Sequence, residues 1–376
     1  MKRKLLFTPG PLNTSASVKE AMLRDVGSRD KEFIDLIRNI RRRLLELGGV
    51  SQARGFEAVL IQGSGTFGIE SVISSVVPPN GKLLIIANGA YGERIVKIAA
   101  GYHLPHEVLR CPENQAADPR AVQQKLQNSQ ITHVAAVHCE TTTGILNPIN
   151  DIGPIVHAAK RTFIVDAMSS FGAIPISLQN DAIDFLVSSA NKCIQGVPGF
   201  SFALASREKL AGAKGLARTL SLDLYEQWRG LEQDGQFRFT PPTHTLLAFA
   251  QALDELDREG GVAGRHRRYF ANQKLLASSM AELGFVPYLQ SAVQSPIITA
   301  FHYPTHPNFR FDEFYSRLSA LGMVIYPGKL TTVECFRLGN IGDLHAPDMH
   351  ALLNAIKKVL ADMNIPIPVP GPVHNI

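Results

Sequence analysis

The sequence predicts an α/β fold: a large domain on a mainly parallel, seven-stranded sheet, followed by a smaller C-terminal α+β domain. Three observations carry this. Seven short, nearly all-apolar runs lie between residues 57 and 206, helical periodicities occur between them, and the pattern changes character near Gly260. Strands covered on both faces read as continuous apolar runs, and parallel neighbours need a crossover, usually a helix, to bring the chain back.

The first run is "EAVLIQG" (57–63), which passes through a glycine turn into a helix-like stretch ending "ESVISSVV" (70–77). "KLLIIAN" (82–88) is followed by the helical "ERIVKIAAGY" (93–102), and "HEVLRC" (106–111) by "PRAVQQKLQN" (119–128). "HVAAVHCE" (133–140), "TFIVDA" (162–167), "IDFLVSS" (183–189) and "FSFALAS" (200–206) complete the set. After "THTLLAFAQALDELDREGG" (243–261) a long charged helix near 262–283 leads through "SPIITAFHYP", "FDEFYSRLSALG" and "ECFRLGNIG" to a last helix, "DMHALLNAIKKVLADM". The closing "PIPVPGPV" reads as an extended tail. The expected division is an N-terminal arm over 1–20, a large domain over 21–260 and a small domain over 261–376.

A chain of 376 residues, 45% apolar and 19% charged, is long enough for one large domain plus a smaller one. Its 38 Lys and Arg against 33 Asp and Glu leave only +5, and the basic runs "RRR" (41–43) and "RHRR" (265–268) are short and sit in helical pattern. They read as solvated helix faces and argue against a nucleic-acid partner. Cysteines 111, 139, 193 and 335 show no paired spacing, so no disulfide framework or metal site is expected, and reduced thiols fit a cytoplasmic protein. The opening "MKRKLLFTPGPL" has too short an apolar run for a secretory signal, and no run of about 18 apolar residues marks a membrane span.

Chemistry concentrates at strand ends. "SSANKCIQGVPGFSF" (188–202) sets Lys192 among small residues just past a strand, where ligands of open α/β sheets bind. It reads either as a loop lysine in water or as an amine whose pKa burial lowers, freeing it to attack a carbonyl. Asp166 ends the apolar strand "TFIVDA", either as the cap of the following turn or as the partner of a buried cation. The protonated ring nitrogen of pyridoxal 5′-phosphate (PLP) is such a cation. Gly63-Ser64-Gly65-Thr66, between a strand and a helix, suits an anion, though it matches neither the nucleotide P-loop nor the dinucleotide fingerprint. Tyr91 follows the next strand, where its ring could lie on a cofactor or pack in the core.

Taken in order, "SGTFGIE", "NGAYGER", "HCETTTGILNPI", "IVDAMSSFGA", "SSANKCIQGVPGFSF" and "CFRLGNIG" resemble the class V, fold type I, PLP-dependent aminotransferases, and the likeness runs from "TPGPLNTS" to the final helix. The resemblance implies that Lys192 bonds PLP covalently and Asp166 pairs with its ring nitrogen. Ser64, Gly65 and Thr66 would cradle the phosphate, Tyr91 would stack on the ring, and Thr141 would bring a hydroxyl near the phenolic oxygen. Thr240 and Thr243 would reach the phosphate of a neighbouring subunit, making the active unit a homodimer with sites at the interface. Arg337 would grip the substrate's anionic group, as a planar guanidinium can. Arg29 is the candidate for a second cation, since a phosphonate carries more charge than a carboxylate.

Within the family, "DAMSSFG" and "SANKCIQGVPGF" are similar to the branch using 2-aminoethylphosphonate and pyruvate. Relatives acting on alanine and glyoxylate commonly carry Trp at the place of Tyr91 and Gln at that of Asn191. The implied reaction is a ping-pong amino transfer. An alanine or serine transaminase acting on glyoxylate, and a PLP-binding protein without turnover, are the alternatives.

Overall fold

The computed structural model describes residues 4–328, 330 and 333–371. The seven apolar runs form one sheet: β1 (Phe56–Gln62), β2 (Lys82–Ala87), β3 (His106–Arg110), β4 (Ile131–Val137), β5 (Thr162–Asp166), β6 (Phe185–Ser189) and β7 (Phe200–Ser206). Their order across the sheet is β1-β7-β6-β5-β4-β2-β3. Strands β2 to β6 pair in parallel, whereas β7 is antiparallel to both of its neighbours. The link between β6 and β7, residues 190–199, contains no helix to carry the chain back across the sheet, so β7 must return beside β6. β1 then points the same way as β2 to β6, and six carboxyl ends open on one edge.

The helices that matter to that edge are α1 (Lys31–Leu47), α2 (Gly65–Val76), α3 (Ala90–Gly101), α4 (Thr243–Arg258) and α5 (Gly261–Glu282). α2 packs on β6 and β7, α3 on β2, and α1 on β1. One core gathers the apolar residues of this part, from Val18 to Leu256. A second core surrounds Phe285, Phe301, Phe314 and Phe336. It lies against β8 (Ile298–His302), β9 (Tyr326–Pro327) and β10 (Cys335–Gly339), an antiparallel sheet with β10 in the middle, and against α6 (Phe311–Ala320) and α7 (Ala346–Asp362). Phe7 joins it from the far end of the chain: Leu5–Leu6 pair in parallel with Met323–Val324, and Gly339 N donates to Phe7 O (3.0 Å). The tail is docked rather than free up to residue 371, with Val369 buried in the second core and its N donating to Leu283 O (2.7 Å).

The basic runs are not simply solvated. Arg42 is exposed, but Arg41 and Arg43 are buried: Arg41 donates to Ala58 O (2.7 Å) and pairs with Glu57 and Glu232, and Arg43 spans Asp254 (2.6 Å) and Asp257 (2.7 Å). Arg265 and Arg268 both meet Glu259, at 2.6 and 2.7 Å. These arginines staple α1 and α5 to their surroundings, so the runs mark packing and not a surface for acids. The four cysteines are free thiols, and no helix among the described residues is long and apolar enough to cross a membrane.

Candidate active site

Three strand-to-helix turns converge on the carboxyl edge. After β1, Gly63 adopts a left-handed backbone (φ 105°) and Ser64 becomes the N-cap of α2. Gly65 leaves room for the Met168 side chain, which a Cβ there, 2.5 Å from its Sδ, would push aside. The first N–H groups of α2 have no partner within the helix and carry its positive end. After β2, Tyr91 stands in the first turn of α3. That turn is capped from outside by the buried carboxylate of Glu140, whose Oε2 accepts from Tyr91 N (3.0 Å) and Gly92 N (3.2 Å) while Oε1 accepts from Thr142 N (3.2 Å) and Thr142 Oγ1 (2.6 Å). Burial raises the Glu140 pKa even against these four bonds.

Asp166 closes β5 with 4% of its surface exposed. The turn-cap reading holds for one oxygen: Oδ1 accepts from Met168 N (3.0 Å). Oδ2 has no hydrogen bond among the described residues, and burial pushes the group up to about 6. Lys192 is part-buried, its Nζ donating to Pro9 O (2.6 Å), and desolvation pulls its pKa down to about 8. The N-terminal arm fits tightly here, since a Cβ on Gly10, itself at φ 117°, would lie 3.0 Å from Lys192 Cδ. The loop is clasped from its other side by α5: Arg265 Nη1 donates to Cys193 O (2.5 Å), and Gln195 Nε2 to Tyr269 Oη (2.6 Å).

A cavity of about 150 Å³ lies between these turns, lined by Ser64, Gly65, Thr66, Tyr91, Asp166 and Lys192 from the sequence reading. The remaining walls are Arg94, Ile69, Met168, Ser189 and Asn191. Burial raises the Tyr91 phenol. The sequence reading passed over Arg94, although it follows Tyr91 by one helical turn and so shares its face. It passed over Glu140 and Ser189 as well: each sits at the end of an apolar strand, a position that carries a signal only once the strand ends are known to meet.

Thr141 and Arg337, also expected at the site, are not among the residues that line this cavity. Thr141 Oγ1 is 2.7 Å from Ser169 Oγ, and the buried Arg337 donates through Nη1 to Thr141 O (2.9 Å) and through Nε to Pro327 O (2.9 Å). Its Nη2 has no hydrogen bond among the described residues. Thr240 and Thr243 are not part of this cavity; Thr240 lines a separate hollow with Gln62, Phe67 and Phe239. Arg29 lies exposed on a turn before α1 and does not reach the cavity either. No group of three or more His, Cys, Asp and Glu that could hold a metal occurs among the described residues. Chemically, the arrangement offers an amine available as a free base near neutral pH, a carboxylate oxygen awaiting a cation, and a helix terminus ready for an anion.

A family model described as Aminotransferase class-V matches residues 13–317. A protein of Salmonella paratyphi B named 2-aminoethylphosphonate--pyruvate transaminase is 52% identical over 359 residues, covering 95% of this chain and 97% of its own. A protein of the same name from Salmonella gallinarum is 51% identical over the same coverage. Among solved structures, the ureidoglycine-glyoxylate aminotransferase of Bacillus subtilis superposes with a TM-score of 0.89 at 22% identity, over 98% of this chain and 95% of that one. The PLP bound phosphoserine aminotransferase of Trichomonas vaginalis gives 0.74 at 16%, over 94% and 100%. These two likenesses concern the fold.

Proposed function

The chain belongs to the class-V aminotransferases, and from that membership we propose that it moves the amino group of 2-aminoethylphosphonate to pyruvate, giving phosphonoacetaldehyde and L-alanine. The observation that carries the substrate assignment is the 52% identity, over 95% of the chain, to proteins named for that reaction.

The residues of the cavity fit PLP. Lys192 Nζ would bond its aldehyde carbon, the open Oδ2 of Asp166 would pair with its ring nitrogen, and Tyr91 would lie along the ring. Ser64, Gly65 and Thr66 would receive the phosphate at the start of α2, and Thr141 would face the phenolic side. Bound there, PLP supplies an electron sink for the pair left when a C–H bond next to the amino group breaks. Lys192 does the proton work: with a pKa of about 8, a useful fraction of Nζ is a free base near neutral pH, able to take the proton from the amino-bearing carbon. The Pro9 carbonyl keeps that nitrogen at the cavity. Arg337, desolvated and with Nη2 uncommitted, would hold the phosphonate or carboxylate end of either substrate.

The active unit in this reading is a homodimer in which Thr240 and Thr243 serve the second copy's site; the exposed Phe67 (51%) and Phe239 (44%) beside Thr240 support a contact there. The division into arm, large domain and small domain at residues 20 and 260 is part of the same reading, supported by the two larger of three apolar cores, while the third, with Cys139, Ala173, Tyr269 and Ile298, draws on both sides of residue 260. So is a cytoplasmic setting, supported by the four free thiols.

The test is a half-reaction. PLP-loaded protein mixed with 2-aminoethylphosphonate, without any keto acid, is expected to release one phosphonoacetaldehyde per site and to lose the absorbance of lysine-bound PLP, which pyruvate then restores while L-alanine forms. Conversion with alanine or serine but not with the phosphonate would move the assignment to a glyoxylate-using transaminase. PLP uptake with no conversion of any amine would leave a binding protein.

A further inference from the structure

We propose that Arg94 is the cation of the cavity's phosphate end: its guanidinium binds a phosphoryl oxygen of the cofactor alongside the start of α2, and so sets how much more tightly the phosphorylated cofactor is held than its dephosphorylated form. The inference rests on the PLP reading above and names a residue which that reading did not need.

Of the buried and part-buried arginines, Arg41, Arg43, Arg265 and Arg268 each meet a carboxylate, while Arg161, Arg218, Arg238 and Arg337 give N–H groups to backbone carbonyls. Arg94 lines the cavity with no carboxylate in ion-pair reach among the described residues. A guanidinium does not shed its charge, so taking it partly out of water calls for an anion or for acceptors on its N–H groups. Among the described residues its one hydrogen bond is from Nη1 to Thr66 Oγ1 (3.1 Å), and its guanidinium carbon sits 4.6 Å from the centre of the Tyr91 ring. The rest of the donor fork is left to the cavity.

The contact with Thr66 says which anion. Thr66 is the second residue of α2, next to the unfilled N–H groups of its first turn. Because its hydroxyl oxygen already accepts from Arg94, its own O–H is free to donate elsewhere. Backbone N–H groups, that hydroxyl and the remaining guanidinium N–H groups therefore stand together, and such a set of donors matches the several oxygens of a phosphoryl dianion. Arg337 does not line the cavity, and its Nε and Nη1 are committed to Pro327 O and Thr141 O. Arg29, the sequence candidate for a second cation, is exposed outside the cavity. The two arginines near the site thus divide the work, Arg94 on the cofactor and Arg337 on the substrate.

The experiment compares PLP with pyridoxal, which lacks the phosphate, by titrating each into cofactor-free wild-type, Arg94→Gln and Arg94→Lys protein and following the absorbance of the linkage to Lys192. Arg94→Gln is expected to weaken PLP by about 10- to 100-fold while leaving pyridoxal within about 2-fold, with Arg94→Lys in between. Inorganic phosphate is expected to compete with PLP in the wild type and less in Arg94→Gln. Equal weakening of PLP and pyridoxal would overturn the inference, making Arg94 a support for Tyr91 or the fold. So would unchanged PLP affinity with a raised KM for 2-aminoethylphosphonate. In both cases wild-type PLP uptake leaves the function reading standing; wild type that takes up no PLP would overturn both.

Discussion

Asp166 and Lys192 are each held away from the charge state that water would give them, and burial is the cause in both. In the cofactor-free protein this has a sign. Asp166 rises from 3.8 to about 6 on folding, so the folded state binds more protons than the unfolded one across that window. Its contribution to stability therefore falls as pH rises from about 4 to about 6 and stays low above. Lys192 works the other way, dropping from 10.5 to about 8, so its contribution improves as pH rises through that range. Asp166→Asn keeps an acceptor for Met168 N and removes the charge. Urea unfolding of the cofactor-free variant is expected to show a gain of about 2–3 kcal/mol at pH 7 and none at pH 4, with PLP affinity lowered instead. Both residues were legible in the sequence because a charge at the end of an apolar strand is conspicuous. Arg94 was legible only in part: helical spacing puts it on the face of Tyr91, but nothing in "NGAYGER" says that it would meet Thr66, 28 positions back.

At the scale of elements, the start of α3 is set from another strand's end. Glu140 sits 49 positions after Tyr91 and accepts its N–H, so the orientation of the aromatic ring depends on a carboxylate with no local relation to it. Gly89 belongs to the same arrangement, since a Cβ there would lie 2.3 Å from Glu140 Cγ. Glu140→Gln would turn an NH₂ toward backbone donors on one side or the other. It is expected to cost about 1–3 kcal/mol in urea unfolding and to weaken PLP through Tyr91; an unchanged unfolding midpoint would refute the capping role. The seven strands were readable because sheets covered on both faces demand unbroken apolar runs. The reversal of β7 followed only from the short, helix-free link that holds Lys192. The basic runs misled for a related reason: the acids that bury Arg41 and Arg43 lie up to 214 positions away, and a run of arginines looks the same whether water or carboxylates surround it.

Across the whole molecule, the arm ties the two cores to the site. Phe7 is buried in the second core, and two residues later Pro9 O receives Lys192 Nζ. Phe7→Ala is expected to cost about 3–5 kcal/mol, bringing thermal unfolding to a lower temperature, and to slow PLP uptake; uptake at the wild-type rate in a destabilised protein would separate the arm from the site. α5 adds the opposite clasp, joining the lysine loop through Arg265 and Tyr269 to the part of the chain that carries Arg337. The seating of the arm also bears on the order of events at the ribosome. Leu5 and Leu6 pair with Met323 and Val324, and Phe7 O waits for Gly339 N. The large sheet has all seven strands once residue 206 has emerged, yet the carbonyl that receives Lys192 gains its seat more than 100 residues later. During synthesis the arm must therefore remain unpaired, its apolar "LLF" in solvent or in a chaperone's grip, while most of the protein takes shape behind it.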